Sequence, residues 1–184
     1  MSTGFTPLHE PLLPPLPVAG AKVTDPTFGT TILRLTDGED LNTEMGVQYS
    51  YWPVFNSNNT RIHVNGKYNG STRSVFFTFD PATLTTRGPN VLRALPPEGF
   101  LLERSDMIWS GIDPDLIFGH NGHVDPLIDV PRQLWTYNVA SDQYELIKDF
   151  SSVLLPDGSS LLLPGGNLAQ MSKSLDDQVF AFTL

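Results

Sequence analysis

Trp52–Gly66 reads W-P-V-F-N-S-N-N-T-R-I-H-V-N-G, and Arg73–Gly88 reads R-S-V-F-F-T-F-D-P-A-T-L-T-T-R-G. Aromatic and β-branched residues alternate with polar ones, and Asn, Ser and Asp-Pro clusters interrupt them, which is the pattern of short strands joined by tight turns. The reading places strands at Tyr49–Phe55, Arg61–Asn65, Ser74–Phe79 and near Leu84–Arg87. Four strands in so short a span make an antiparallel meander.

The pattern returns. M-I-W-S-G-I-D-P-D-L-I-F-G-H-N-G at Met107–Gly122 repeats the aromatic residue, polar turn and β-branched strand. R-Q-L-W-T-Y-N-V-A-S-D-Q-Y-E-L-I-K-D-F at Arg132–Phe150 repeats the next part, with Trp135 over Phe77, Tyr137 over Phe79 and Asn138 over Asp80. A third copy opens at Asn167–Phe182, where K-S-L-D-D precedes a strand at Gln178–Phe182. With Phe55, Trp109 and Met171 as first-strand anchors, the interval is roughly 55–60 residues. Four strands per unit at that interval predict an all-β chain of β-propeller blades. A β-sandwich with similar-looking hairpins is the simpler alternative.

The expected layout is a proline-rich lead-in over residues 1–25 and a partial propeller over 26–184. Within it stand an entry strand at 30–36, blade 1 at about 47–95, blade 2 at about 104–152 and the start of blade 3 at about 166–184. That is about two and a half blades, an incomplete propeller with open strand edges suited to self-association. The reading takes the chain as the front portion of a longer protein. A turn or so of helix is expected only near Asn90–Leu95.

Composition narrows the function. Eleven basic against twenty acidic residues give a net charge of −9, which repels phosphate backbones and argues against nucleic acid as a partner. Cysteine is absent, so disulfides, thiolate nucleophiles and Cys-type zinc sites are excluded. No apolar run is long enough to span a bilayer. The N-terminus has no basic segment ahead of an apolar one, so no signal peptide is visible. The default compartment is the cytoplasm, or the periplasm or exterior if the true start lies elsewhere. Pro14 and Pro17 fit a PxxP spacing, and Asn58 and Asn69 head sequons that matter only in a eukaryotic secretory setting.

Blade topology sorts the loops onto two ends. The polar turns N-S-N-N-T, G-I-D-P-D and K-S-L-D-D fall at one end, where Asn and Asp satisfy local backbone groups. The opposite, loop-rich end collects Lys67, Tyr68, Asn69 and Arg73, then Arg104 and Asp106, then His120, His123, Asp125 and Arg132, with Gln170 before the third unit. Lys67, Arg73, Arg104, Asp106, His120, His123, Asp125 and Arg132 are the candidate ligand-binding set, for a carbohydrate or a protein partner. His120-x-x-His123 with Asp125 has the donor types for a divalent metal, although the spacing lacks the helical register of a strong metal motif. No other cofactor is implied. No nucleophile elbow and no phosphate loop are present.

Phe55–Ile62 and Trp109–Ile117 resemble the F/W-S-P-D-G-x-x-I core of TolB-type propeller repeats. Pro26–Asp37 is similar to the entry strand of bacterial extracellular propeller proteins, among which oligogalacturonate lyases share a similar layout. The likeness covers about residues 26–184. The Pro-Asp-Gly turn of that family is Ser-Asn-Asn here and Ser-Leu-Asp-Asp in the third copy. The resemblance implies a non-catalytic binding or scaffold module, or alternatively part of a polysaccharide lyase acting on uronates. A lyase needs a base and a charge stabiliser. His120, His123, Tyr68 and Arg104 are the residues available for those roles. A truncated product without independent function is the third reading.

Overall fold

The computed structural model describes residues 15–37, 45–47, 52–68, 71–91, 107–120, 132–161 and 168–183. Among these the chain is all-β, without a helix. A hairpin of β1 (Lys22–Thr24) and β2 (Thr31–Leu33) comes first. A four-stranded antiparallel meander follows, of β3 (Met45–Gly46), β4 (Arg61–Tyr68), β5 (Ser71–Asp80) and β6 (Thr85–Val91). The second meander is β7 (Ile108–Trp109), β8 (Leu116–His120), β9 (Gln133–Asn138) and β10 (Gln143–Asp149). β11 (Ala169–Lys173) and β12 (Phe180–Thr183) form a third, two-stranded sheet. No helix among the described residues is long and apolar enough to cross a membrane.

Alternation along β8 explains how the sheets stack. Ile117 joins Phe76, Met107, Trp109, Trp135 and Tyr137 in a core between the first and second sheets. Its neighbour Phe118 joins Ile108, Leu134 and Met171 in a core between the second and third, with Phe180 and Phe182 packed against it. A strand whose successive side chains enter two different cores is covered on both faces. At the first junction Phe76 lies 5.8 Å from Trp109 and 5.9 Å from Tyr137, centroid to centroid. Each such aromatic contributes about 2–3 kcal/mol by burial and about 1 kcal/mol more by ring geometry. This arrangement of antiparallel meanders, face to face, is consistent with a propeller-like fold.

Several elements differ from the sequence reading. Residues 22–24, placed in the lead-in, form β1, because Lys-Val-Thr is free of the prolines around it. Of the strand expected at Tyr49–Phe55, residues 49–51 lie outside the described ones, and in the rest Phe55 makes only an isolated bridge. Gly46 pairs with Asn65 and Phe55 bridges Ile62, so partners three positions apart on β4 are met by residues nine apart on the other side. Residues 48–51 between these pairings lie outside the described ones, and Val54 is back in the ladder, accepting from the His63 amide at 2.9 Å. The helical candidate at Asn90–Leu95 is strand through Val91, and the rest of it lies outside the described residues.

The register of the repeat also shifts. Lys173 pairs with Phe180 as Phe55 pairs with Ile62 and Trp109 with Ile117. The third anchor is therefore Lys173, not Met171. Ile62 faces Phe77 and Ile117 faces Tyr137, so strand pairing sets Phe77, not Phe79, against Tyr137. The turns still match as expected: Asp80 accepts from the Ala82 and Thr83 amides at 2.9 and 3.3 Å, and Asn138 from the Ala140 and Ser141 amides at 3.0 and 2.9 Å. β5 runs two residues further than β9 before its turn.

The polar turns between the first two strands of each unit do more than satisfy their own backbone. Asn56 Oδ1 accepts from the Thr60 and Arg61 amides, while its Nδ2 donates to the Pro114 carbonyl at 2.7 Å. Arg61 donates from Nε and Nη2 to Asp115 Oδ1 at 2.7 and 2.5 Å. Ser110 donates to Asp177, and the Gly111 amide donates to the same carboxylate at 3.1 Å. These turns lace each sheet to the next.

His63 is 2% exposed, stacks on Phe76 at 5.0 Å, and its Nε2 has no hydrogen-bond partner among the described residues. Burial lowers its pKa to about 3. The native state therefore keeps His63 neutral where the unfolded chain, with a pKa near 6.5, takes up a proton. Its contribution is complete above pH 6.5 and is lost as the pH falls toward 3. Urea unfolding at pH 7 and pH 5 will show a loss of about 2 kcal/mol from this group. His63→Phe will reduce the pH slope by one proton.

Candidate functional site

The segment leading into Phe55 borders a concave surface. It brings Trp52 against the third sheet, where the indole Nε1 donates to the Met171 carbonyl at 3.3 Å. Trp109, on β7, donates from its own indole to the Val54 carbonyl at 3.1 Å. The first strands of all three sheets thereby converge. Between them lies a cavity of about 500 Å³ lined by Trp52, Pro53, Ile108, Gln170, Met171, Ser172 and Lys173.

The chemistry of this cavity is mixed. Trp52 is half-buried, and Ile108 and Met171 form an apolar floor. Gln170 and Ser172 are exposed and present an amide and a hydroxyl. Gln170 holds φ at 47°, within a bulge of the β11–β12 ladder where pairing shifts between Ala169 and Ser172. Glycine is the residue suited to that conformation, so a glutamine there is retained at a cost in backbone strain of about 1 kcal/mol.

Lys173 is already engaged. It pairs with Asp177, and the two side chains are 5% and 6% exposed. Its ammonium lies 5.7 Å from the Phe118 ring centroid. Burial opposes the charge on Asp177, but donation from Lys173, Ser110 and the Gly111 amide outweighs it and holds the carboxyl below the usual carboxylate range.

The loop-rich end stands where the topology places it. Arg73 pairs with Gly66, and Lys67 with Thr72, at the β4–β5 connection. Lys67 is exposed and Arg73 half-buried. His120 pairs with Leu134 at the corresponding end of the second sheet, but its side chain is fully buried and meets Phe182 edge-on at 5.7 Å. Arg132 is half-buried just before β9. Beside it Gln133 links Trp135 Nε1, at 3.1 Å, to Asp149, at 2.9 Å. That donation from Gln133, with the Ser151 amide, holds the Asp149 carboxyl below its ordinary range.

Arg104, Asp106, His123 and Asp125 lie outside the described residues, as does the side chain of Tyr68. Among the described residues no three His, Asp or Glu side chains gather as a metal-binding group. Of the loop-end candidates named from sequence, Gln170 alone lines the cavity. Trp52, Ser172 and Lys173 were not singled out. The signal that could have been weighed for Trp52 was Pro53 beside it, since proline in a sheet marks an edge position.

No family model matches the chain, and no curated protein does. Among solved structures, the crystal structure of an oligogalacturonate lyase from Vibrio parahaemolyticus aligns with a TM-score of 0.38 and 18% identity. The alignment covers 75% of this chain and 35% of that one, so the chain spans about a third of that structure's length. A likeness at this level fixes neither activity nor substrate.

Proposed function

We propose that the chain forms successive blades of a β-propeller, about two and a half by its repeats, and acts as a non-catalytic binding module. The ligand class we assign is carbohydrate. The observation that carries this reading is the cavity beside Trp52, which sets an indole next to an amide and a hydroxyl within about 500 Å³. A sugar offers an apolar ring face to an aromatic side chain and hydroxyls to polar groups, and pockets of this size suit such ligands. Lys67 and Arg73 emerge at the end of the sheets from which the cavity-lining strands begin. They favour a sugar bearing a carboxylate, despite the overall negative charge.

The test is calorimetric titration of the full chain with neutral and uronate oligosaccharides, paired with Trp52→Ala. Saturable binding is expected, weakened at least tenfold by the substitution; because Trp52 also packs against the core between the second and third sheets, Ser172→Ala, exposed on the same cavity, is the variant expected to weaken binding with the unfolding midpoint nearly unchanged. Silence across the panel would overturn the reading. Release of an unsaturated uronate product, followed by its ultraviolet absorbance, would replace it with the lyase reading.

A further inference from the structure

The junction of the first and second sheets buries polar atoms that its packing leaves unused. His63 Nε2 and Asn65 Oδ1 are both buried and meet no hydrogen-bond partner among the described residues. The two residues lie two apart on β4, so their side chains leave the same face of the strand. Phe76 identifies that face. It pairs with His63 across the ladder, stacks on its ring at 5.0 Å, and belongs to the core against the second sheet. Ser74 completes the group. It pairs with Asn65, is fully buried, and its hydroxyl lies 3.1 Å from Met107 Sδ on the second sheet. Continuing the β7–β8 register sets Met107 beside Gly119, which brings no side chain to the junction.

The spacing of these groups suits a bridging molecule. Residues on one face of a strand stand roughly 7 Å apart along it, and directly opposed residues on neighbouring strands hold their Cβ atoms about 5 Å apart. A water molecule that makes two hydrogen bonds of about 2.8 Å joins atoms separated by such a gap. His63 and Asn65 do not bond to each other. Buried polar atoms left unpaired oppose folding, and proteins meet the need with internal water wherever two to four polar partners converge.

The donors and acceptors balance. Asn65 Oδ1 can only accept. The Ser74 hydroxyl directs its proton at the Met107 sulfur, and its oxygen remains free to accept. A water that donates to both oxygens has used its two protons, and its lone pairs then need a donor, which His63 Nε2–H supplies. Neither Asn65 nor Ser74 carries a charge and His63 is neutral, so nothing in the group compensates an ion, and a neutral occupant is the one that fits. We infer that the first junction holds a single internal water, hydrogen-bonded to His63 Nε2, Asn65 Oδ1 and Ser74 Oγ, and that His63 carries its proton on Nε2.

The test is made on the full chain, isotopically labelled, at neutral pH. Water-selective Overhauser spectra in the laboratory and rotating frames will show cross-peaks of opposite sign to the carbon-bound ring protons of His63, the mark of a water held far longer than surface hydration. Long-range nitrogen spectra will show Nε2 as the protonated ring nitrogen. Asn65→Leu will abolish the water cross-peaks at His63. In urea, His63→Phe and Asn65→Leu will each lower the unfolding midpoint, and the double variant will lower it by clearly less than the sum of the two, because both ends of the bridge are then apolar. Absent or surface-like cross-peaks in the native chain would overturn the inference, whether or not the variants fold. So would a proton on Nδ1, a direct His63–Asn65 bond, cross-peaks that survive Asn65→Leu, or strictly additive midpoint shifts.

Discussion

Asp177→Ala will release the third sheet from the second. The substitution removes the partner of Lys173 in an ion pair that is almost wholly buried, and removes the acceptor for Ser110 and the Gly111 amide. Breaking a buried pair from one side leaves an uncompensated charge and costs about 3–5 kcal/mol. The ammonium of Lys173 rests against Phe118 and has no other carboxylate among the described ion pairs. The damage will be local before it is global. Native-state hydrogen exchange will show protection lost in β11 and β12, while β4, β5, β8 and β9 keep theirs. Adding Lys173→Met will restore part of the loss, because an apolar side chain at that position leaves no charge to desolvate. If the double variant is as unstable as the single one, the ion pair is not what holds the junction.

Gly111→Ala is the second large effect, and its cause is steric. A Cβ at position 111 would stand 1.9 Å from the Leu175 carbonyl oxygen and 2.9 Å from its carbon. The clash is with backbone, so no rotamer change relieves it. The turns Ser110–Asp115 and Ser174–Val179 would have to separate, and the Gly111 amide would lose Asp177. Overpacking of this kind costs about 1–3 kcal/mol, and the hydrogen bond lost with it adds about 1 kcal/mol. Gly46→Ala is the control, since nothing lies within 4 Å of its added Cβ. A drop in the urea midpoint for Gly111→Ala, with none for Gly46→Ala, is the expected outcome. Equal stability of the two variants would show that the turns are not in contact.

Both effects arise at a turn that the sequence marked only as a polar cluster. K-S-L-D-D was legible as a turn because Ser and Asp satisfy nearby amides, and they do: Ser174 accepts from the Val179 amide and Asp176 from the Gln178 amide. Nothing in its spacing revealed that Asp177 reaches across to another sheet. Such long-range pairing depends on how the units stack, and a repeat pattern is silent about it.

The repeat itself was visible because alternation of apolar residues survives in each copy. Its phase was not, where chemistry replaced a hydrophobic residue. The third copy was anchored on Met171 because an apolar residue was sought, whereas Lys173 holds the equivalent place by virtue of its ion pair. Pro53 marks an edge position, since proline in a sheet is confined to edges and bulges, and weighing that would have drawn attention to Trp52 beside it. The placement of Gln170 near a concave surface could be read from topology. The role of Trp52 required the stacking of the first sheet on the third to be known.

The central claim is that the three sheets stack face to face through their aromatic residues rather than joining edge to edge. Nuclear Overhauser spectra of the aromatic side chains test it most directly. The account predicts cross-peaks from the Phe76 ring to those of Trp109 and Tyr137, and from Phe118 to Phe180, at centroid separations of 5.8, 5.9 and 5.0 Å. Missing ring contacts together with backbone cross-peaks joining β6 to β7 would mean one continuous sheet, and would contradict it.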